Sequence, residues 1–247
     1  MKVFGIIPAR YASSRLPGKP LRLICGKPMV LRVYERALKA QCWNQLVVAT
    51  DDQRIKEVIE NAGGIALITS RDHSSGTDRI AEACDLLKLD DNDLVVNIQG
   101  DEPLLPYKSI KALVHTFKTG INASMGTLAY KATDYEEFNN ANVVKVVTDR
   151  DGNALYFSRA PIPHTRETST DGISFLKHLG FYIYPVRFLK VFTQLPQGHL
   201  ENLEKLEQLR ALENGYKIKV IISEVDSYGV DTEDDLARVE KIILERG

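Results

Sequence analysis

Short apolar, β-rich runs alternate with amphipathic helical segments along this chain, and this alternation limits the possible folds more than any other feature. Such a pattern is typical of a sheet that helices cover on both faces. Strands are predicted at residues 3–7, 46–50, 66–69, 94–98, 124–130, 143–148, 154–158, 178–184 and 217–223. We therefore expect an α/β fold, and 247 residues are enough to bury a full core in a single domain, 1–247.

Two helices have clear ends in the sequence. One is predicted from Pro28 to Gln41, where apolar side chains recur at helical spacing and Pro28 suits a first turn. The other is predicted to begin at Asp52 and to stop at Gly63 and Gly64, since glycine commonly ends a helix. Both helices support the alternating pattern.

The middle of the chain has a different sequence pattern. Two β-rich runs between about residues 143 and 159 meet at Asp151 and Gly152, which is a strong hairpin signal. The segment from about 123 to 185 is therefore predicted to be an antiparallel excursion from the main sheet. Insertions of this kind often carry substrate or subunit contacts.

Composition excludes several classes of protein. A formal net charge of -1 gives no general attraction to nucleic acid or to an anionic membrane, so no such partner is expected. The three cysteines, Cys25, Cys42 and Cys84, have neither zinc spacing nor a disulfide pattern. The sequence shows no signal-peptide core and no membrane span, and we expect a cytoplasmic protein.

A basic loop follows the first predicted strand directly. It places Arg10, Arg15 and Lys19 beside Ser13, Ser14 and Gly18, without an acidic residue, which is the composition of a phosphate site. Position 13 is serine and position 20 is proline, so the loop is not a Walker A motif, and the dinucleotide glycine pattern is also missing. A nucleotide ligand is indicated, although scattered basic loop residues can also be merely solvated.

Acidic residues follow other predicted strands, at the edge where ligands bind in open α/β sheets. Asp51 and Asp52 follow the second strand, and Asp101 follows the fourth after Gly100. Asp101 is the best metal candidate, with a turn aspartate as the alternative. Asp231 could be a second ligand or a helix cap, since Thr232 and Asp235 resemble a capping box.

Five further residues have both a functional and a purely structural interpretation. Ser75 or Thr77 could bind ligand at the start of a helix or simply cap it. His178 lies on an alternating strand and could be an ordinary core histidine. Glu207 and Gln208 interrupt a helical spacing of leucines, and a solvated helix face would explain them; those leucines are Leu203, Leu206, Leu209 and Leu212.

Several motifs in order resemble the 3-deoxy-manno-octulosonate (Kdo) cytidylyltransferases, the CMP-Kdo synthetases. The early blocks are residues 6–10 (IIPAR), 14–21 (SRLPGKPL), 26–29 (GKPM), 49–52 (ATDD), 75–79 (SGTDR) and 97–103 (NIQGDEP). The later blocks are residues 154–159 (ALYFSR), 177–180 (KHLG), 206–210 (LEQLR) and 229–232 (GVDT). The resemblance covers essentially the whole chain.

This resemblance implies a Rossmann-like nucleotidyltransferase fold with a mixed central sheet, helices on both faces and a smaller antiparallel excursion used for homodimerisation. It also implies that CTP and Kdo are converted to CMP-Kdo and pyrophosphate with Mg²⁺, for lipopolysaccharide or capsule biosynthesis. The C2 hydroxyl of the sugar would attack the α-phosphorus in line, without a protein nucleophile.

The same resemblance implies roles for individual residues. Asp101 and Asp231 match the metal-binding carboxylates, and Arg10 and Lys19 match triphosphate ligands that take part in catalysis. The CTP-binding set is expected to be Ala9, Arg10, Lys19, Ser75, Gly76 and Arg79. The sugar-binding set is expected to be Arg15, Gln99, Arg159, His178, Tyr182, Glu207 and Gln208.

Three alternatives stay open from the sequence. A metal-dependent glycosyltransferase is one, although that class usually has a D-x-D pair where this chain has Asp101 and Glu102 side by side. A catalytically silent nucleotide-binding regulator is another, but it would be expected to lack Asp101, Asp231 or Lys19. Within the resemblance, 8-amino-Kdo or a sialic acid could replace Kdo as the substrate.

Overall fold

The computed structural model describes residues 1–12, 16–164, 166 and 172–246. Its strands are β1 Val3–Ala9, β2 Leu23–Ile24, β3 Lys27–Pro28, β4 Gln45–Thr50, β5 Ala66–Ile68, β6 Leu94–Asn97, β7 Met125–Ala132, β8 Lys145–Thr148, β9 Ala154–Ser158, β10 Phe175–Pro185 and β11 Ile218–Ser223. Its helices are α1 Met29–Leu38, α2 Gln53–Asn61, α3 Gly76–Leu86, α4 Tyr107–Lys118, α5 Tyr135–Asn139, α6 Val186–Gln194, α7 His199–Glu204, α8 Leu209–Glu213 and α9 Glu233–Arg246.

One mixed sheet organises the described part of the chain. Its strand order is β11-β7-β10-β6-β1-β4-β5, with β8 paired to β10 and β9 paired to β8. Strands β6, β1, β4 and β5 are parallel neighbours, as are β7 and β11, whereas β10 runs antiparallel to both β6 and β7. The α/β fold with a mixed central sheet is thus confirmed.

Helices cover both faces of this sheet because side chains on its buried strands point alternately to opposite sides. Ile7 of β1 packs in one apolar cluster with residues of α1, α2 and α4. Ile6 packs in another with residues of α3, α6 and α8. A smaller third cluster joins α9 to Leu16 in the loop after β1 and to Leu104 in the loop after β6.

The antiparallel pairing expected between residues 123 and 185 is present. Strands β8 and β9 form the predicted hairpin, with Lys145 opposite Ser158, and Gly152 at the turn has a φ of 74°. Strand β10 pairs with β8, β7 and β6 in turn, and its register on β7 shifts between His178 and Tyr182. This irregularity lies next to the site described below.

The predicted strands are all present, with small differences at their ends. The largest is in β10, which begins at Phe175 rather than at residue 178. Helix α1 is shorter than expected, since it begins at Met29 after Pro28 and ends at Leu38 rather than Gln41. The sequence analysis missed the β2–β3 pair, because two-residue strands are too short to show an alternating pattern.

The prediction of one helix through Leu203 and Leu212 is wrong. Helix α7 ends at Glu204, and Lys205 has a φ of 53°, in the left-handed region that breaks an α-helix. Helix α8 begins only at Leu209. The leucine spacing suggested a continuous helix, but Leu203 of α7 is 68% exposed whereas Leu209 of α8 is buried.

No helix in the part of the chain that the structure describes is long and apolar enough to cross a membrane.

Candidate active site

A cleft of about 300 Å³ opens at the carboxyl ends of β1 and β6. It brings together groups that the sequence places far apart. Among the expected residues, its lining contains Ala9, Arg10, Lys19, Ser75, Gly76, Arg79, Gln99, Asp101 and Asp231. All the expected CTP-binding residues and both expected metal ligands therefore lie around one cavity, as predicted for the edge of an open α/β sheet.

Lys19 lies between the two aspartates. Gly18, with a φ of 66°, turns the loop into a short 3-10 segment that begins at Lys19. Lys19 Nζ donates hydrogen bonds to Asp101 Oδ2 at 2.6 Å and to Asp231 Oδ1 at 2.8 Å. Burial favours a lower pKa for Lys19, but the two carboxylates outweigh it and hold its pKa above the usual value. The ammonium is therefore charged throughout the neutral range.

Gly100 explains how Asp101 reaches this position. A methyl group at Gly100 would lie 2.6 Å from the carbonyl oxygen of Pro8, so only glycine allows the turn after β6 to approach the end of β1. Ile98 N also donates to Ile6 O at 3.0 Å, which continues the pairing of the two strands up to the turn. The close contact of the two chains sets Asp101 beside the loop of Lys19.

Asp231 directly precedes the residue that caps α9, and its own side chain is not the capping group. Thr232 Oγ1 accepts from Asp235 N at 3.2 Å, and Asp235 Oδ2 accepts from Thr232 N at 2.9 Å. This is the capping box expected from the sequence, with Thr232 as the cap. The alternative in which Asp231 caps α9 is thus wrong, and the carboxylate of Asp231 faces Lys19 instead.

The donor set of the cleft fits a divalent cation that arrives with a phosphate ligand. Two carboxylates bind one ammonium here, so a cation already occupies the place between them. Among the described residues, no group of three or more His, Cys, Asp or Glu side chains could hold a metal ion. Mg²⁺ typically takes one or two carboxylates and completes its shell with substrate phosphates and water.

The adjacent acids Asp101 and Glu102 have different surroundings. Glu102 Oε2 accepts a hydrogen bond from Ser227 Oγ at 2.5 Å, on the side of the loop between β11 and α9. Burial, with a smaller effect of the Asp101 charge, raises the pKa of Glu102 to about 8. At neutral pH Glu102 is thus mostly protonated.

Ser75 and Gly76, from the expected CTP-binding set, lie at the start of α3. Ser75 Oγ accepts from Asp78 N at 3.1 Å, and Asp78 Oδ2 accepts from Ser75 N at 3.2 Å, which makes a capping box. The capping interpretation of Ser75 is therefore confirmed. Ser75 and Gly76 nevertheless line the cleft, so the helix end also faces the ligand space.

Arg79 lines the cleft but is held by protein groups. Its guanidinium donates to Asp51 Oδ2 at 3.1 Å, to Thr69 Oγ1 at 2.5 Å and to Ser70 O at 3.2 Å. The residue is 3% exposed. These bonds explain the role of Asp51, which the sequence placed at the ligand edge. Asp51 orients the buried Arg79 in the wall of the cleft.

Gln99 joins the cleft to the strand that carries two other expected sugar ligands. Its Nε2 donates to Gly180 O at 2.9 Å, at the irregular part of β10. The rings of His178 and Tyr182 lie on either side of Gly180 in sequence, with centroids 5.4 Å apart. His178 and Tyr182 are not part of the cleft lining itself but adjoin it through Gln99.

His178 has the environment of an ordinary core histidine. Its Nε2 lies 2.9 Å from Thr127 Oγ1, and its ring meets Phe157 edge to face at 5.0 Å. Burial lowers the pKa of His178 to about 3, so the imidazole is neutral at physiological pH. A neutral imidazole can offer a hydrogen bond, but no positive charge, to a sugar acid.

Glu207 and Gln208 do not form a solvated helix face. They lie in the turn between α7 and α8, and Gln208 is only 4% exposed. Glu207 Oε2 accepts from Thr77 Oγ1 at 2.6 Å, which connects this turn to the start of α3. Burial raises the pKa of Glu207, although the bond to Thr77 opposes this. Burial, with a smaller effect of the Glu207 charge, also raises the pKa of Tyr182. A role of Glu207 and Gln208 in sugar binding stays a prediction.

Three buried polar atoms near these residues have no hydrogen-bond partner among the described residues. They are Asn97 Oδ1, Tyr184 Oη and Gln208 Nε2. Asn97 lies opposite Tyr182 in the β6–β10 pairing. Buried polar groups are normally satisfied by protein, ligand or water. Ordered water or ligand hydroxyls would satisfy such atoms.

Arg159 lies at the end of β9, outside the cleft lining. Its Nε donates to Glu204 O at 2.7 Å and its Nη1 to Ala141 O at 2.9 Å, so it ties the excursion to the end of α7. A contact of Arg159 with the sugar stays a prediction. Arg15, the other expected cationic sugar ligand, lies outside the described residues.

Six residues of the cleft wall were not among the expected site residues. They are Pro8, Pro20, Met29, His73, Ser74 and Gly100. His73 Nε2 lies 2.5 Å from Glu82 Oε2, nine residues along the chain. His73 and Ser74 directly precede the 75–79 motif, so their position next to it was the available signal.

Comparison with known proteins gives the family. A family model described as Cytidylyltransferase matches residues 4–218. The 3-deoxy-manno-octulosonate cytidylyltransferase of Syntrophobacter fumaroxidans is 56% identical over 245 residues, which cover 99% of this chain and 98% of that protein. This chain belongs to the cytidylyltransferase family.

Two solved structures resemble this cytidylyltransferase over its length. CMP:2-keto-3-deoxy-manno-octonic acid synthetase complexed with CTP is 38% identical, with a TM-score of 0.92 and full coverage of both chains. A cytidylyltransferase from Leptospira borgpetersenii is 17% identical, with a TM-score of 0.65, and covers 99% of this chain and 87% of its own; it shows the fold alone. The nucleotidyltransferase fold and enzyme class expected from the motifs are thus confirmed.

A second group of relatives is named for a different sugar acid. The 8-amino-3,8-dideoxy-manno-octulosonate cytidylyltransferase of Shewanella amazonensis is 52% identical to this cytidylyltransferase over 241 residues, which cover 97% of this chain and 98% of that protein. Relatives of similar identity are thus named for two related sugar acids.

Proposed function

We propose that this cytidylyltransferase activates Kdo with CTP to give CMP-Kdo and pyrophosphate, in lipopolysaccharide or capsule biosynthesis. The observation that carries the proposal is the cleft in which Arg10 and Lys19 lie beside the paired carboxylates of Asp101 and Asp231. Cations next to a carboxylate pair suit a triphosphate bound with a divalent ion. Full-length similarity to the Syntrophobacter enzyme supports Kdo as the acceptor.

The cations of the cleft bind the triphosphate in this mechanism. An ammonium has three N–H donors, so Lys19 can keep its bonds to Asp101 and Asp231 and still reach one phosphate oxygen. Arg10 is exposed at the mouth of the cleft and can reach the outer phosphates. Both residues stabilise the negative charge that develops on the leaving pyrophosphate.

Asp101 and Asp231 are proposed to hold Mg²⁺ together with oxygens of the triphosphate. When bound, the ion supplies charge neutralisation at the phosphates and lowers the pKa of the attacking hydroxyl. The remaining protein groups orient the reactants. Because the C2 oxygen of the sugar bonds to the α-phosphorus as the bond to pyrophosphate breaks, no protein nucleophile is needed.

The sugar acid is proposed to bind on the side of Gln99, Tyr182 and Glu207. Gln99 bridges the cleft to β10, and Glu207 reaches the start of α3 through Thr77. These groups, with the amide of Gln208, offer donors and acceptors for several sugar hydroxyls. A sugar without those hydroxyls leaves buried polar groups unpaired and is expected to react poorly.

The direct test is release of pyrophosphate with Mg²⁺ and each of the four nucleoside triphosphates. Kdo, 8-amino-Kdo and N-acetylneuraminate serve as acceptors. We expect release with CTP and Kdo, and none after the metal is removed with EDTA. Release of the nucleotide from a nucleotide sugar donor, without CTP, would indicate a glycosyltransferase instead. Binding of CTP without release of pyrophosphate with any acceptor would indicate a silent binder.

Lys19→Met tests the role assigned to the ammonium. The variant keeps the length of the side chain but removes the charge that faces the pyrophosphate. We expect kcat to fall by about 10²-fold, in line with the loss of one preorganised electrostatic group. Lys27→Met is the matched control, since Lys27 pairs with the exposed Glu35 at 2.6 Å away from the cleft. Wild-type turnover in Lys19→Met would rule the role out.

An 8-amino analogue of Kdo is the second candidate acceptor. It is favoured by the 52% identity to the Shewanella amazonensis enzyme named for that sugar. An ammonium on the sugar would complement the carboxylate of Glu207. If this is the substrate, the ratio of kcat/KM for 8-amino-Kdo to that for Kdo exceeds one, and Glu207→Gln lowers the ratio.

We also propose that the chain forms a homodimer through the excursion. Strand β9 pairs only with β8 among the strands of the described sheet, apart from one bridge between Asn153 and Lys219. Leu155 on β9 is 61% exposed. An exposed edge strand with a large apolar side chain is a common subunit contact.

A further inference from the structure

Two loops that are distant in sequence carry the proposed metal ligands. Asp101 lies in the turn after β6, and Asp231 lies between β11 and α9. A site made from two loops keeps its geometry only if the loops are fixed to each other, since loops are otherwise the mobile parts of a fold. The contacts between these loops therefore bear on the separation of the two carboxylates.

The first contact is a backbone hydrogen bond. Val230 N donates to Asp101 O at 2.9 Å, so the residue before one aspartate binds the main chain of the other. One hydrogen bond fixes the distance at a single point but still allows the loops to rotate about it. A second contact at another point is required to fix the orientation.

The second contact is the side-chain pair of Glu102 and Ser227. Ser227 Oγ donates to Glu102 Oε2 at 2.5 Å across 125 residues of sequence, and Ser227 is 5% exposed. The other carboxyl oxygen of Glu102 lies 3.4 Å from the point where a side chain at Gly229 would begin. Glu102 therefore packs against the backbone of the loop that leads to Asp231.

The loop of Ser227 is itself anchored to the sheet. The preceding residue, Asp226, accepts from Lys177 Nζ at 2.9 Å, and Lys177 also bonds Glu137 Oε1 at 2.8 Å. Lys177 lies in β10, next to His178. The Ser227 hydroxyl is thus held in place, and its hydrogen bond can fix the position of the Glu102 side chain.

We propose that Glu102 and Ser227 are positioning residues, which hold Asp101 and Asp231 at the separation and orientation that bind a divalent cation together with the triphosphate. Neither residue contacts the substrate in this assignment. The inference rests on the proposed function only in taking Asp101 and Asp231 as the metal ligands. It predicts that loss of the hydrogen bond weakens metal binding much more than it weakens nucleotide binding.

Ser227→Ala is the first test, measured by Mn²⁺ binding in the presence of CTP with electron paramagnetic resonance. We expect the Kd for Mn²⁺ to rise about tenfold, the usual scale for one strong hydrogen bond. The Kd for CTP in EDTA should stay within twofold of the wild type. Ser227→Thr keeps the hydroxyl and should restore Mn²⁺ affinity.

Ser109→Ala is the matched control. Ser109 Oγ and Ser223 Oγ form a buried hydrogen bond of 2.8 Å that joins α4 to β11, and Ser109 is 7% exposed. Its loss is expected to lower stability as Ser227→Ala does but to leave Mn²⁺ affinity unchanged. Equal weakening of Mn²⁺ binding in both variants would show a merely structural role and overturn the proposal.

Glu102 gives an independent pair of variants if Ser227→Ala does not fold. Glu102→Gln keeps an acceptor for Ser227 and should bind Mn²⁺ nearly as the wild type does, whereas Glu102→Ala should not. Wild-type Mn²⁺ affinity in Glu102→Ala or in folded Ser227→Ala overturns the proposal. These measurements do not require Kdo, so failure of turnover with Kdo is distinguishable from failure of this inference.

Discussion

At the scale of single residues, partners in the fold decide which interpretation of a motif holds. Ser75 is both a helix cap and part of the cleft wall, so its two interpretations are compatible. Asp231 does not cap its helix, because Thr232 does. The guanidinium of Arg79 donates its hydrogen bonds to Asp51, Thr69 and Ser70. Residue type alone could not separate these cases, since each depends on which donor or acceptor lies within 3 Å or so.

His178 gives a prediction about pH. Its pKa is about 3 in the folded protein, against 6.5 for an ordinary histidine. Between pH 3 and pH 6.5 the unfolded chain therefore binds a proton that the folded chain does not. This group leaves the free energy of unfolding unchanged above pH 6.5 and lowers it as the pH falls from 6.5 towards 3. Because of this group, the free energy of unfolding is expected to be about 2 kcal/mol lower at pH 5 than at pH 8.

The measurement compares urea unfolding of the wild type and His178→Gln at pH 5 and pH 8. Glutamine can keep a bond to Thr127 but has no group that titrates in this range. The wild type should lose about 2 kcal/mol more than the variant between the two pH values. His115→Gln, at an exposed position on α4, controls for removal of a surface imidazole. Equal losses in the wild type and His178→Gln would contradict the prediction.

At the scale of secondary-structure elements, the break between α7 and α8 has the largest effect on the site. It places Glu207 and Gln208 in a turn against α3 rather than on a helix surface. The cause is local, since Lys205 adopts a left-handed conformation that costs a non-glycine residue about 1 kcal/mol. The surrounding packing of Leu206 and Leu209 outweighs that cost.

Lys205→Gly should therefore stabilise the protein. Glycine adopts a φ of 53° without strain, although its greater freedom in the unfolded chain offsets part of the gain. We expect the free energy of unfolding in urea to rise by about 0.5 kcal/mol. Leu203→Gly, at an exposed position within α7, is the control and should lower it by about 1 kcal/mol. A loss in Lys205→Gly as large as in the control would refute the strain argument.

At the scale of the whole molecule, one mixed sheet carries both the cleft and the excursion. Strands β7 and β10, which lie within the predicted excursion, are also central strands between β6 and β11. The segment is thus not separate from the main sheet, because it includes β10, the strand that carries His178 and Tyr182. The proposed dimer contact on β9 is connected to the sugar side of the site through β8 and β10.

Leu155→Glu tests the dimer. A charge at this exposed position of β9 should disfavour burial against a second subunit, because an unpaired carboxylate is costly to desolvate. We expect light scattering after size exclusion to give the mass of a dimer for the wild type and of a monomer for the variant. Leu86→Glu is the control, since Leu86 is 51% exposed at the end of α3. A monomeric wild type, or a Leu155→Glu variant that remains dimeric, would reject the contact.

The sequence by itself determined the order of the longer strands, the α/β class and most of the residues that line the cleft. These follow from local periodicity, from turn residues such as Gly152, and from ordered motifs within short stretches of chain. Only the tertiary structure decided that Lys19 binds Asp101 and Asp231, 82 and 212 residues away, and that Ser227 holds Glu102. Such pairings have no local pattern, because they arise when packing of the sheet brings distant loops together.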